Sequence, residues 1–221
     1  MQTEVPCSSP VAALGQGVLR VTVGGMFAGK STEALNVVRR YSSIGACSLV
    51  VKHTRDVARS GNRLCTHDDA SCRSTVATEL VPLLDSPAYA LAALVVVEEA
   101  HFFADLYAFC VTAVERDRKS VFVYGLDADY LRRPFPTIVS LLPIADSFSK
   151  AQALCATCRD GQPAVHTLRR ASNRTAGDVQ VQIGGADAYE AACRRCYLAA
   201  MTLPSRGYEW GNLCHPDGPQ A

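Results

Sequence analysis

The chain lacks an excess of charge, a long apolar run and an internal repeat, and each absence removes a class of function. Its 221 residues carry 22 Lys and Arg against 21 Asp and Glu, a net charge of +1. A protein whose main partner is nucleic acid is normally strongly basic, so no such partner is expected. The apolar stretch over residues 88–97 is about half the length that spans a bilayer and runs into Glu98 and Glu99, so no membrane role is expected. The first ten residues show no basic stretch followed by an apolar one, which argues against export and for a cytoplasmic protein. Six cysteines (Cys7, Cys47, Cys65, Cys72, Cys110 and Cys214) follow no regular spacing. In a reducing compartment they are expected as free thiols.

What is present starts with apolar content of 48%, enough for a full core and a small appendage. Residues 19–23 interleave Val and Leu and stop at Gly24-Gly25, the pattern of a short buried strand. A helix follows, capped by Ser31 or Thr32, with Leu35, Val38 and Ile44 expected inward and Arg39 and Arg40 outward. Residues 48–52, 95–97 and 120–125 read as further buried strands, and continuous apolar strands mark a parallel sheet covered on both faces. Residues 105–118 predict an amphipathic helix, and residues 138–144 with Phe148 one more helix and strand. Alternation of strand and helix through the first 150 residues predicts an α/β class with right-handed crossovers. From Lys150 the composition changes. Expected boundaries are a loose leader over 1–17, a nucleotide-binding domain over 18–150, a zinc-binding segment over 151–199 and an unstructured tail over 200–221.

Three constellations carry chemistry. Gly24-Gly25-Met26-Phe27-Ala28-Gly29-Lys30-Ser31 fits G-x-x-x-x-G-K-[ST] between a strand and a helix. Glycines let the backbone approach an anion, Lys30 meets the β/γ-phosphates and Ser31 reaches Mg²⁺. Glu98-Glu99 closes a strand at the carboxyl edge, where open α/β sheets place ligands. Alternation of side chains lets one carboxylate serve a metal shell while its neighbour turns toward an acceptor. Cys155-x-x-Cys158 and Cys193-x-x-Cys196 have the spacing of a four-thiolate Zn²⁺ site; two local disulfides or four free thiols are the alternatives. Arg169, Arg170, Arg174, Arg194 and Arg195 read as a solvated basic face.

These residues also carry a resemblance. Residues 24–32, Cys65-Thr66-His67-Asp68, Glu98-Glu99-Ala100-His101-Phe102-Phe103, residues 126–135 and Ile183-Gly184-Gly185-Ala186-Asp187 with Tyr189 stand in order beside both cysteine pairs. The set resembles the zinc-containing cytosolic thymidine kinases (type II) from about Leu19 to Tyr197. The resemblance implies a P-loop (RecA-like), mostly parallel sheet flanked by helices, with a small zinc-ribbon or lasso domain. It implies transfer of the γ-phosphate of ATP to the 5′-hydroxyl of thymidine, with Mg²⁺ and a structural Zn²⁺. By position, Glu99 is the implied base and Glu98 helps hold the Mg²⁺ shell. Residues 24–32, Asp56 and Arg59 would serve ATP. Met26, Glu99, Phe102, Leu126, Tyr130, Phe135, Thr167 and Tyr189 would surround thymidine. Val179, Gln180, Val181, Gln182 and Ile183 match the lasso whose backbone bonds the base, anchored by the zinc. A homotetramer and inhibition by dTTP are implied as well. The chain departs from the pattern at Glu98, where aspartate is usual, at Ala100-His101, where Gly-Gln is usual, and at Tyr130, where phenylalanine is common. A RecA-like ATPase working on nucleic acid, or a nucleic-acid-binding zinc ribbon, would share parts of the motif set.

Overall fold

The computed structural model describes residues 16–56, 63–65, 71–170, 184 and 187–202. In chain order its elements are β1 (Val18–Val23), α1 (Lys30–Ser43), β2 (Ser48–His53), β3 (Arg63–Cys65), β4 (Ser71–Arg73) and β5 (Thr75–Ala77). Next come α2 (Pro87–Leu91), β6 (Leu94–Glu98), α3 (Leu106–Val111), β7 (Ser120–Gly125), α4 (Pro136–Val139) and β8 (Ser147–Lys150). The last elements are β9 (Ala153–Leu154), β10 (Pro163–Ala164), β11 (His166–Arg169), β12 (Tyr189–Ala192) and α5 (Arg194–Thr202).

The apolar strands lie inside a six-stranded sheet of order β5-β2-β6-β7-β1-β8. The pairings β1–β7, β2–β5, β2–β6 and β6–β7 are all parallel, so the α/β class read from the sequence is the class observed. Every residue of β6 and β7 is buried, the reason their sequences show no polar alternation. One core layer is formed where α1 lays Ala34, Leu35 and Val37 on Val50, Leu94, Val96, Phe122 and Tyr124. Each fully buried Val, Leu or Phe there contributes about 1.5–3 kcal/mol.

Some local expectations shift. Leu35 is buried and Val38 packs half-buried against the same core beside Ala34 and Val37, as expected of an inward face, but Ile44 is 63% exposed. The reason is where the helix stops. α1 ends at Ser43, Gly45 takes φ +74, and the Gly45 and Ala46 N–H groups return to the Ser42 and Tyr41 carbonyls. That is a left-handed helix end, which puts Ile44 outside the periodic face. The helix expected over 105–118 is α3 continued by a π-helical turn, Thr112–Arg116; the Thr112 hydroxyl donates back to the Ala108 carbonyl at its start. Cys110 is a free thiol as expected, and Cys72 forms no disulfide. Cys47 is not; it is disulfide-bonded.

The chain divides into two compact units. One takes β1, Lys30–Gly125 and Phe135–Ser149; the other takes Gly24–Gly29, Leu126–Pro134 and the chain from Lys150. The second unit has two small antiparallel pairs, β9–β10 and β11–β12. Its core gathers Cys155, Leu168, Ala192, Cys193, Cys196 and Tyr197.

Candidate active site

In the first unit, β6 delivers two carboxylates to its carboxyl end and α1 delivers a lysine and a hydroxyl at its first turn. Lys30 is buried and Thr32 is exposed. The Ser31 hydroxyl donates to Glu98 Oε1. Glu98 is 4% exposed, and its other oxygen, Oε2, is buried without a hydrogen-bond partner. Such an orphaned oxygen costs about 1–3 kcal/mol. Burial, and then the neighbouring Glu99, push the Glu98 carboxyl up to about 7, against the pull of Ser31 and Lys30. A hydroxyl and an unsatisfied carboxylate oxygen at one point make a hard oxygen donor set, so these residues fit a Mg²⁺ shell.

Glu99 behaves differently. It follows β6 in the left-handed region at φ 50, a conformation that costs a non-glycine residue about 1–3 kcal/mol and clusters at functional sites. Its side chain is 24% exposed, and His101 Nδ1 lies 3.6 Å from its Oε2. Burial, then the charge of Lys30, lower the His101 pKa to about 3, so the imidazole is neutral. The His101 ring lies against Phe102 at 4.1 Å and Phe135 at 4.6 Å between centroids. Two of the expected thymidine-wall residues thus meet through a histidine beside the expected base.

Asp56 is engaged elsewhere: the buried Lys52 places its ammonium 2.5 Å from the Asp56 carboxylate. Arg59 and residues 179–183 lie outside the described residues.

In the second unit, the loop Gly24–Gly29 shows why it needs glycine. Gly24 has φ +147, and a Cβ there would lie 2.4 Å from the Ala151 carbonyl oxygen. The Met26 N–H donates to Thr167 Oγ1 at 3.0 Å, which ties the loop to β11. Tyr130 lies under the Arg169 guanidinium at 5.1 Å, and its carbonyl accepts from the Tyr197 hydroxyl at 2.7 Å. Tyr189 is buried and stands opposite Arg169 in the β11–β12 register, while Leu126 is half-buried. Arg169 itself is 3% exposed, so it does not belong to a solvated basic face. Its aliphatic stem and stacked guanidinium explain how a charged residue is accommodated there. Of the same group, Arg170 faces Glu190 at 3.6 Å and Arg195 faces Asp160 at 3.0 Å.

The four cysteines converge. Their sulfurs all lie within 4.8 Å of one another, and Cys158 and Cys193 are 3.9 Å apart. None of the four forms a disulfide, which removes the local-disulfide alternative. A tetrahedral Zn²⁺ with bonds of about 2.3 Å holds its sulfurs about 3.8 Å apart. The donors and spacing fit. The Cys193 N–H also donates to Cys155 Sγ at 3.2 Å, as backbone amides do around a thiolate.

With the geometry in place, the family match is decisive: residues 17–197 match the thymidine kinase family. The chain belongs to that family. It is 36% identical over 188 residues to thymidine kinase a of Arabidopsis thaliana, covering 83% of this chain and 76% of the relative. Cytosolic thymidine kinase of Homo sapiens is 38% identical over 187 residues, 83% of this chain and 74% of its own length. Thymidine kinase of Rabbit fibroma virus (strain Kasza) is 36% identical over 184 residues, 82% and 97% respectively. The family match runs from the residue before β1 to Tyr197, so it takes in the glycine loop, the acidic strand end and all four cysteines. Reading the sequence missed three buried groups beside these features: Lys52, His101 and Arg169. Only His101 carried a signal, as a departure inside a matched motif. Lys52 ends a strand read as buried, with nothing in its sequence to name its partner, and Arg169 lies in a basic run where charge ordinarily means solvent.

Proposed function

We propose that the protein transfers the γ-phosphate of ATP to the 5′-hydroxyl of thymidine, giving dTMP for DNA precursor synthesis. The observation that carries this reading is the pairing of Ser31 with a buried Glu98 whose second oxygen lacks a partner, next to a partly exposed Glu99 that faces His101. Bound Mg²⁺ would neutralise charge on the β- and γ-phosphates, with Ser31 and Glu98 as the residues that hold it. Lys30 and the N–H groups of residues 24–32 grip the phosphates, and the α1 N-terminus adds its partial positive charge. Glu99 accepts the 5′-hydroxyl proton. Phe102, Phe135, Leu126, Tyr130 and Tyr189, with Met26 and Thr167, line the nucleoside site, and residues 179–183 bond the base. In this reading Asp56 and Arg59 assist the phosphates, which requires Asp56 to share Lys52 with the substrate.

The domain assignment follows: residues 18–150 bind nucleotide, and 151–199 form a lasso pinned by Zn²⁺ on Cys155, Cys158, Cys193 and Cys196. The zinc is structural, since four thiolates leave no open position. The relative named cytosolic supports a cytoplasmic location, and no helix among the described residues is long and apolar enough to cross a membrane. A homotetramer with dTTP as feedback inhibitor completes the proposal.

The test is a radiolabelled-ATP assay against the four deoxynucleosides, expected to label thymidine in preference to the rest. Glu99→Gln should retain ATP binding and lose turnover by about 10²-fold or more. Labelling of no deoxynucleoside refutes the activity; a near-normal rate in the variant refutes Glu99 as base.

A further inference from the structure

We propose that His101 is a positioning residue that aims the Glu99 carboxylate, an inference resting on the kinase reading above. Glu99 has its backbone fixed by the left-handed turn after β6, but a glutamate side chain still has three rotatable bonds, and this one is a quarter exposed. A base must keep its oxygen within about 2.6–3.2 Å of the proton it takes, and an unrestrained carboxylate spends little time there. The imidazole supplies the restraint. Its Nδ1 stands 3.6 Å from Glu99 Oε2, one small torsional adjustment from a hydrogen bond, and such contacts tighten when substrate binds.

The ring is itself well held. It is 2% exposed and lies between Phe102 and Phe135, and its backbone carbonyl accepts from the Thr137 hydroxyl at 3.3 Å. Phe102 makes a further ring contact with His53 at 5.3 Å. Lateral movement of His101 is therefore blocked by the rings that are proposed to receive the nucleoside. The same wedge couples base position to nucleoside seating: a thymidine that presses on Phe102 or Phe135 presses on the imidazole facing Glu99. The residue usual at this position in the resembling kinases, glutamine, shares with histidine one property relevant here, an N–H on a side chain of comparable reach.

The experiment compares His101→Gln, His101→Leu and His101→Met by steady-state kinetics with thymidine and ATP, after circular dichroism shows that each variant folds. His101→Gln keeps a donor within reach and should hold kcat within about threefold of the natural protein. His101→Leu fills the space between the rings without a donor, and should lose kcat by about tenfold or more while the thymidine KM moves less than threefold. His101→Met, whose thioether carries no donor, should resemble the leucine variant and stands in for it if that variant does not fold. Equal rates for the glutamine variant and the variants without a donor in reach overturn the proposal, as does a loss that falls on KM with kcat intact. Absence of thymidine phosphorylation by the natural protein instead refutes the kinase reading, before any variant is compared.

Discussion

Replacing Glu98 by glutamine should make the ligand-free protein more stable in mild alkali and leave it unchanged in acid. The Glu98 carboxyl, ordinarily at 4.5, is pushed up to about 7 by burial and by Glu99. It therefore holds its proton more tightly folded than unfolded. Below about 4.5 the group is protonated in both states and costs nothing. Through the window from 4.5 to 7 the folded state pays an increasing penalty, which is complete above about 7. That gap corresponds to roughly 3 kcal/mol at most. Glutamine at position 98 can still accept from the Ser31 hydroxyl, so the substitution removes the charge while keeping the bond. In a domain of this size 1 kcal/mol moves the melting temperature by about 2–4 °C. The variant should therefore melt up to roughly 6–12 °C above the natural protein at pH 8 and at the same temperature near pH 4.5. Thermal unfolding followed by circular dichroism in Mg²⁺-free buffer measures this. Mg²⁺ with a non-hydrolysable ATP analogue should then close the gap by stabilising the natural protein alone. A difference that stays constant across the pH range refutes the argument, because it would place the effect in packing rather than in the buried charge.

Two further outcomes test the second unit. Cys193→Ser should reduce bound zinc from about one per chain to near zero, read by atomic emission, and should raise hydrogen exchange in β11 and β12, which pack into the same small core. Gly24→Ala should lower stability by about 2 kcal/mol or more in urea titrations, because its Cβ would collide with the Ala151 carbonyl in a backbone conformation that already disfavours a side chain.

The sheet was legible because β6 and β7 are apolar runs of strand length that end at Glu98 and Gly125, while β1 and β2 carry apolar residues around Arg20 and ahead of Lys52. Strands covered on both faces need no polar face, so such runs point to a buried parallel sheet. The glycine loop and the four cysteines were legible because each chemistry demands fixed residue types at fixed spacing. The end of α1 was not, since whether Ile44 continues the apolar face depends on Gly45 adopting a left-handed turn, a choice that periodicity does not express. The buried cations were equally hidden. Lys52 and Arg169 are accommodated by partners distant from any pattern, an aspartate four residues on and a tyrosine ring from another segment. His101 shows an intermediate case. Its position was visible inside a motif, and its contact with Glu99 became apparent only when the left-handed turn brought the two side chains together.

Pairing β11 with β12 as far as Arg169 and Tyr189 has a consequence for how the connection between these strands can vary. Once both feet of a span are fixed, lengthening it is cheap, since each doubling of a flexible loop costs only about 0.6 kcal/mol in closure entropy. Residues can therefore be added or removed beyond that last pair with little effect on the strands that carry them. The ladder thus separates two demands: the strands preserve the foundation, while the chain between them can change its reach.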